Sequence, residues 1–258
     1  MAKSKQQESS GTRTPAKKAP SGPKPGLVEV RAELHHLADP ADAVHLLRFF
    51  KTGPGEYGEG DQFLGLRVPA LRALARKYAA IEQADVLEML TSSWHEERLL
   101  ALMLLGTAYK RGDAARRGQI HRAYLAHTRY INNWDLVDAS AEHIVGPHLD
   151  VRDIALLERL ASSKDIWERR IAIVSTFHFI KRKEFRPTLT IAELLLNDSH
   201  DLIHKAVGWM LREVGKRDRG VLDTFLRKHY KKMPRTMLRY AIERHPEGIR
   251  KKYLAGFV

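Results

Sequence analysis

The residues best placed to do chemistry lie in three segments. The first is Tyr130-Ile-Asn-Asn-Trp-Asp-Leu-Val-Asp138. Asn132 or Asn133 suits a helix N-cap, so a helix is expected to start there. Trp134 and Asp138 are then i and i+4, one above the other on a single helix face. Asp135 points elsewhere, near the positive end of the helix dipole. An aromatic face beside a carboxylate can hold a cation or stabilise one that forms during a reaction. The structural alternative makes Trp134 a core anchor and Asp138 the partner of a nearby arginine.

The second segment, Asp165-Ile-Trp-Glu-Arg-Arg-Ile-Ala-Ile-Val-Ser-Thr-Phe177, reads as one helix with an apolar face through Ile166, Ile173 and Phe177. Arg170, four residues after Ile166, points toward the packed side. An arginine there requires a carboxylate or phosphate, because an unpaired buried charge is costly. Arg169 is its immediate neighbour. A structural Asp–Arg pair between helices would also explain it.

The third segment runs from His204 to Lys216. Lys205, Trp209 and Arg212 form one stripe at i, i+4 and i+7, with Lys216 beyond. Cations interrupted by an aromatic suit a nucleic-acid backbone with one exposed nucleotide. A core tryptophan flanked by snorkelling cations would give the same spacing. Lys181 and Arg182, in the same basic half, are assigned to backbone contact with them.

Other chemistries find little support. His200 and His204 have metal-pair spacing, but Asp201 stands where a zincin carries glutamate and no third ligand is evident. No metal or cofactor is expected. The stretch Lys51-Thr-Gly-Pro-Gly-Glu-Tyr-Gly-Glu-Gly-Asp61 is glycine-rich but lacks the Gly-Lys-Ser/Thr ending of a phosphate-binding loop. It reads as a flexible connection. No Gly-x-Ser-x-Gly elbow is present. The chain has no cysteine, which excludes disulfides, thiolate zinc sites and cysteine nucleophiles.

The elements that must position these residues are helices. Leu71, Leu74, Ala75 and Tyr78 follow helical spacing, as do Ile154, Leu157 and Ala161, and Leu222, Phe225, Leu226 and His229. No strand alternation appears. About a dozen helices of roughly 10–17 residues are expected. The breaks fall at Arg111-Gly-Asp113, Gly146-Pro147, Ser162–Asp165 and Asn197–Ser199. The four tryptophans, at 94, 134, 167 and 209, are spaced by 40, 33 and 42 residues. That spacing brackets the helix-pair period of HEAT and armadillo repeats. The predicted architecture is all-α: a HEAT-like solenoid of about six helix pairs over residues 27–258, whose concave face is the natural place for a long ligand. Residues 1–26, rich in Lys, Pro, Ser and Gly, read as a disordered basic tail.

Charge supports a polyanionic partner. The chain of 258 residues carries a formal +13: +5 over residues 1–26, −3 over 27–150 and +11 over 151–258. Such asymmetry points to one part of the fold meeting nucleic acid. No apolar run approaches the roughly 20 residues of a membrane helix, and no signal-type segment opens the chain. A cytoplasmic monomer without membrane contact is expected.

Three of these motifs, Ile131-Asn-Asn-Trp-Asp-Leu-Val-Asp138, Trp167-Glu-Arg-Arg170 and Lys205-Ala-Val-Gly-Trp-Met-Leu-Arg-Glu213, resemble the DNA alkylation repair proteins of AlkD type. The loop Gly53-Pro-Gly-Glu-Tyr-Gly58 followed by Phe63-Leu-Gly-Leu-Arg-Val68 fits as well. The resemblance spans about residues 28–255. It implies a HEAT-like solenoid around duplex DNA and hydrolytic release of N3- and N7-alkylated purines. Carried over by motif, the site residues would be Asp138, Trp134, Trp209 and Arg170, with Arg169 the alternative arginine. The resemblance further implies a reader of shape and charge that leaves the base stacked. A non-catalytic HEAT-like binder of damaged or branched DNA is the alternative, and a protein-interaction scaffold a third reading.

Overall fold

The computed structural model describes residues 25–258; the tail assigned to residues 1–26 lies outside the described residues except for Pro25 and Gly26. The elements are α1 (Leu27–His36), α2 (Pro40–Phe49), α3 (Val68–Lys77), α4 (Gln83–Leu90), α5 (His95–Arg111), α6 (Ala114–Ala126), α7 (Trp134–Asp138) and α8 (Ala141–Ile144). They continue with α9 (Ala155–Ala161), α10 (Ile166–Ser175), α11 (Phe177–Ile180), α12 (Arg186–Leu194), α13 (Asp201–Arg217), α14 (Arg219–His229), α15 (Arg235–Ala241) and α16 (Glu247–Ala255). Among the described residues the only β feature is an isolated bridge between Gln62 and Trp94. None of their helices is long and apolar enough to cross a membrane.

The helices stack in two rows, as expected of a helical repeat protein. In one row α5, α7–α8, α10–α11, α13 and α15 each pack on the next. In the other, α4, α6, α9, α12 and α14 cover them. A continuous apolar core fills the space between, from Val30 and Leu34 through Leu100, Ile144, Ile171 and Met210 to Tyr253. The expected periodic residues Leu71, Leu74, Ala75, Tyr78, Leu222, Phe225, Leu226 and His229 are all buried. Gly208 lets two helices of the first row meet closely: a Cβ there would lie 2.5 Å from the Met237 carbonyl oxygen on α15.

Several row helices are shorter than the sequence spacing predicts. The continuous helix expected over 165–177 is split at Thr176, so Phe177 opens α11 instead of extending the face of α10. The cause is local. Ser175 Oγ donates to the Ile171 carbonyl and Thr176 Oγ1 to that of Ile173, both at 2.6 Å. Such back-bonding competes with the helical ladder and bends it. Ser140, whose Oγ donates to the Leu136 carbonyl at 2.6 Å, divides α7 from α8 in the same way.

Candidate functional site

Asn133 caps α7, its side-chain oxygen accepting the Trp134 backbone N–H at 2.8 Å. Trp134 and Asp138 are the first and last residues of this one-turn helix. Arg170 comes from α10, which packs directly against α7. Its Nε and Nη2 donate to the two Asp138 oxygens at 2.9 and 2.8 Å, and its Nη1 to the Leu202 carbonyl on α13 at 2.7 Å. The guanidinium is nearly buried, whereas the Asp138 side chain keeps 20% of its surface exposed. Burial pushes the Asp138 carboxyl above its ordinary pKa, against the pull of Arg170 and with a further push from Asp135.

Arg169 does not share this position. It donates to Asp198 at 2.6 Å and to the Ser163 and Lys164 carbonyls at 3.0 Å. Arg98 does the same one level earlier, gripping the Ser92 and Ser93 carbonyls and Asp61. The two arginines are equivalent clasps between a helix and its preceding loop, so the repeat is visible in geometry although no sequence consensus announces it.

Trp209 lies on the same face of α13 as Leu202, seven residues or about 10 Å along the axis. It is half-buried, with its ring 5.8 Å from that of Phe177. Trp134 is likewise half-buried, stacked on Phe50 at 5.4 Å and edge-on to Phe49 at 5.9 Å. The Tyr57 hydroxyl faces the Trp134 indole N–H, and burial raises its pKa. Asp138 and Arg170 are thus joined directly, with Trp134 one turn before Asp138 on α7; on α13, Trp209 sits one turn beyond Lys205.

The cations assigned to backbone contact are held by carboxylates. Lys205 pairs with Asp201 at 2.7 Å, Lys216 with Glu213 at 2.9 Å, Arg212 with Glu243 and Lys181 with Glu142. Arg182 is exposed beside His178. The Lys205–Asp201 pair is exposed on both sides and contributes little stability, whereas Glu142 and Glu213 are nearly buried beneath exposed lysines. Lys205 can exchange its carboxylate for a phosphate at little cost. The spaced histidines have other tasks: the His200 ring accepts from the Leu202 N–H at 3.1 Å, and the His204 ring bonds the Asp198 carbonyl at 2.5 Å.

The sequence reading missed a buried polar network behind Trp134. The glycine-rich stretch is not a loose connection, because Asp61 at its end is buried. Its carboxylate accepts from Arg98 at 2.6 Å and from the Asn133 amide at 3.3 Å, and faces His95 Nδ1 at 3.1 Å. His95 Nε2 in turn reaches Asp135 at 2.8 Å. Burial works against ionising Asp61, yet His95 and Arg98 hold its carboxyl below the ordinary value. The available signal was His95-Glu-Glu-Arg98 at the head of an otherwise apolar helix; all four are buried. A cleft of about 540 Å³ between α12 and α14, lined by Leu189, Glu193, Phe225, Lys228 and His229 among others, contains none of Asp138, Arg170, Trp134 and Trp209.

Fold and site together define a helical repeat protein presenting a carboxylate, two half-buried indoles and cations on one row of helices. The chain belongs to the DNA alkylation repair enzyme family, whose description matches residues 30–245. DNA is therefore its substrate class. Among solved structures it is similar to a "Predicted DNA alkylation repair enzyme from Enterococcus faecalis", with a TM-score of 0.62 and 14% sequence identity. The match covers 81% of this chain and 97% of that one, and it carries the fold alone. Comparison with curated proteins gives no match.

Proposed function

We propose that this chain, through its helical region 27–258, is a DNA glycosylase that hydrolyses the N-glycosidic bond of positively charged N3- and N7-alkylpurines in duplex DNA. The observation that carries the reading is the Asp138 carboxylate, fixed bidentately by Arg170 one turn after Trp134 and still open to solvent. An N-alkylated purine is already cationic and leaves readily, so little acid catalysis is needed. As the C1′–N bond breaks, positive charge develops on the sugar, as in glycoside hydrolysis. A preorganised carboxylate beside it stabilises that charge and orients the water that attacks C1′. The water's proton passes to the carboxylate or to solvent, leaving an abasic sugar and the neutral alkylbase. Both Asp138 oxygens already accept from Arg170, which makes electrostatic stabilisation the carboxylate's main part. Trp134 and Trp209 offer faces to a cationic base or sugar.

Heat-labile-site-free duplex DNA treated with a methylating agent is the test substrate, with free 7-methylguanine and 3-methyladenine as the readout. The two neighbouring arginines separate structure from chemistry. Arg169→Ala is expected to lower stability by about 1–3 kcal/mol, through loss of the Asp198 and carbonyl contacts, while folded protein keeps base release within about threefold. Arg170→Ala is expected to lower release far more than threefold, because Asp138 loses its fixed orientation. Equal rates for the two folded variants would contradict the assignment.

Affinity should fall steeply with salt. Alanine at Lys181, Lys205 or Lys216 should each reduce the slope of log K against log salt by about 1. Fluorescence anisotropy between about 50 and 200 mM salt checks this; unchanged slopes would remove these residues from the interface. A non-catalytic binder is the second reading. It is favoured by one feature, the occupation of both Asp138 oxygens by Arg170.

A further inference from the structure

We propose that His95, held between Asp61 and Asp135, is a positioning residue of the excision site: it pins the first turn of α7 and so sets the placement of Trp134 and Asp138. This rests on the excision reading above. Both ring nitrogens face carboxylate oxygens, Nδ1 at 3.1 Å from Asp61 and Nε2 at 2.8 Å from Asp135. A neutral imidazole has one N–H, and would turn a lone pair toward one of these anions. Two donors require the imidazolium. Its ring packs against those of Phe63 at 4.6 Å and Phe50 at 4.9 Å, and only 2% of the side chain is exposed.

The restraint reaches the site by three routes. Asp135 is the residue after Trp134, and its other oxygen accepts the Leu136 N–H at 2.9 Å. Phe50 lies tilted against His95 and stacks on Trp134. Asp61 also binds the amide of Asn133, the cap of α7. There is an electrostatic consequence too. Asp135 raises the pKa of Asp138, so a charged His95 beside Asp135 offsets a negative charge that disfavours the working carboxylate. The charged groups facing His95 are Asp61 from the loop, Asp135 from α7 and Arg98 from its own helix. Burial opposes its protonation, but Asp135 and Asp61 outweigh burial and lift its pKa to about 9.

Two measurements on the full chain test this. Nitrogen NMR of histidine-labelled protein is expected to show both His95 nitrogens protonated at pH 7.5; a singly protonated ring overturns the proposal. Single-turnover base release, corrected for spontaneous loss, is expected to decline as pH rises through about 9. In H95Q the folded protein is expected to release base about 10-fold or more slowly and to lack that basic limb. Asp135→Asn, which keeps the side-chain shape, is expected to move the limb down toward the ordinary histidine value of about 6.5. A limb unchanged in both variants overturns the positioning role alone. Absence of release from the unaltered protein at every pH defeats the excision reading and the role of His95 in it together.

Discussion

Replacing Asp138 by asparagine is expected to slow single-turnover base release by about 100-fold or more, with binding to duplex DNA retained. The change preserves size and one oxygen that can accept from Arg170, so α7 stays in place. It removes the negative charge that faces the developing oxocarbenium ion. Loss of one preorganised electrostatic group typically costs 100- to 1,000-fold in rate. DNA binding should strengthen slightly, because a negative charge disappears near the phosphates. The same carboxylate governs the acid side of the pH profile. Its pKa is raised in the folded protein by burial. The active, ionised form is therefore present above that raised pKa and is lost as pH falls through it, at higher pH than an ordinary aspartate would give. In D138N the limb should be absent. A rate within threefold of the unaltered protein would show that Asp138 is only a structural partner of Arg170.

Asp61→Ala is expected to have the largest effect on stability. The substitution leaves Arg98 and His95, both almost fully buried, without the carboxylate that accepts from them. Breaking a buried pair from one side costs about 3–5 kcal/mol. In a chain of this size that corresponds to a fall in Tm of about 10 °C. The loop ahead of Asp61 should loosen as well. Its own ties are weak and exposed, as where Glu56 accepts the Gly53 N–H and Glu59 that of Gly55. Thermal unfolding followed by circular dichroism checks the prediction. A shift below about 2 °C would mean that the Arg98–His95 cluster is satisfied without Asp61.

These two residues mark how far the sequence could be read. Asp138, Trp134 and Arg170 were legible because their signals are local. A capped helix puts residues i and i+4 on one face, and an arginine on a packed helix face demands a partner. The helical repeat was legible from period and breaks. Asp61 was not, since its partners lie 34, 37 and 72 residues away on other elements. A glycine-rich stretch looks flexible until the far side of its contacts is known. The cationic stripe was legible, but its pairing with Glu142 and Glu243 from neighbouring helices was not. The partners Asp201 and Glu213, at i−4 and i−3 from their lysines, could have been found by spacing. Helix lengths were overestimated because Ser140, Ser175 and Thr176 bond back to the ladder, an effect of side-chain rotamer that composition does not reveal.

The exposed end of α2 adds a feature beside the site. None of its residues is buried, and Phe49 at its end is 62% exposed while touching Trp134. Trp134 and Phe49 therefore form an aromatic edge at the surface, backed by the buried Phe50.

The most direct test of the central claim is a single-turnover reaction on duplex DNA carrying one 7-methylguanine, with protein in excess and products separated into free base, intact strand and abasic strand. Release of free 7-methylguanine with a matching abasic strand, abolished or slowed about 100-fold in D138N, is the predicted result. Saturated binding with no free base above the spontaneous background would contradict it, and would leave a protein that holds damaged DNA without cutting the glycosidic bond.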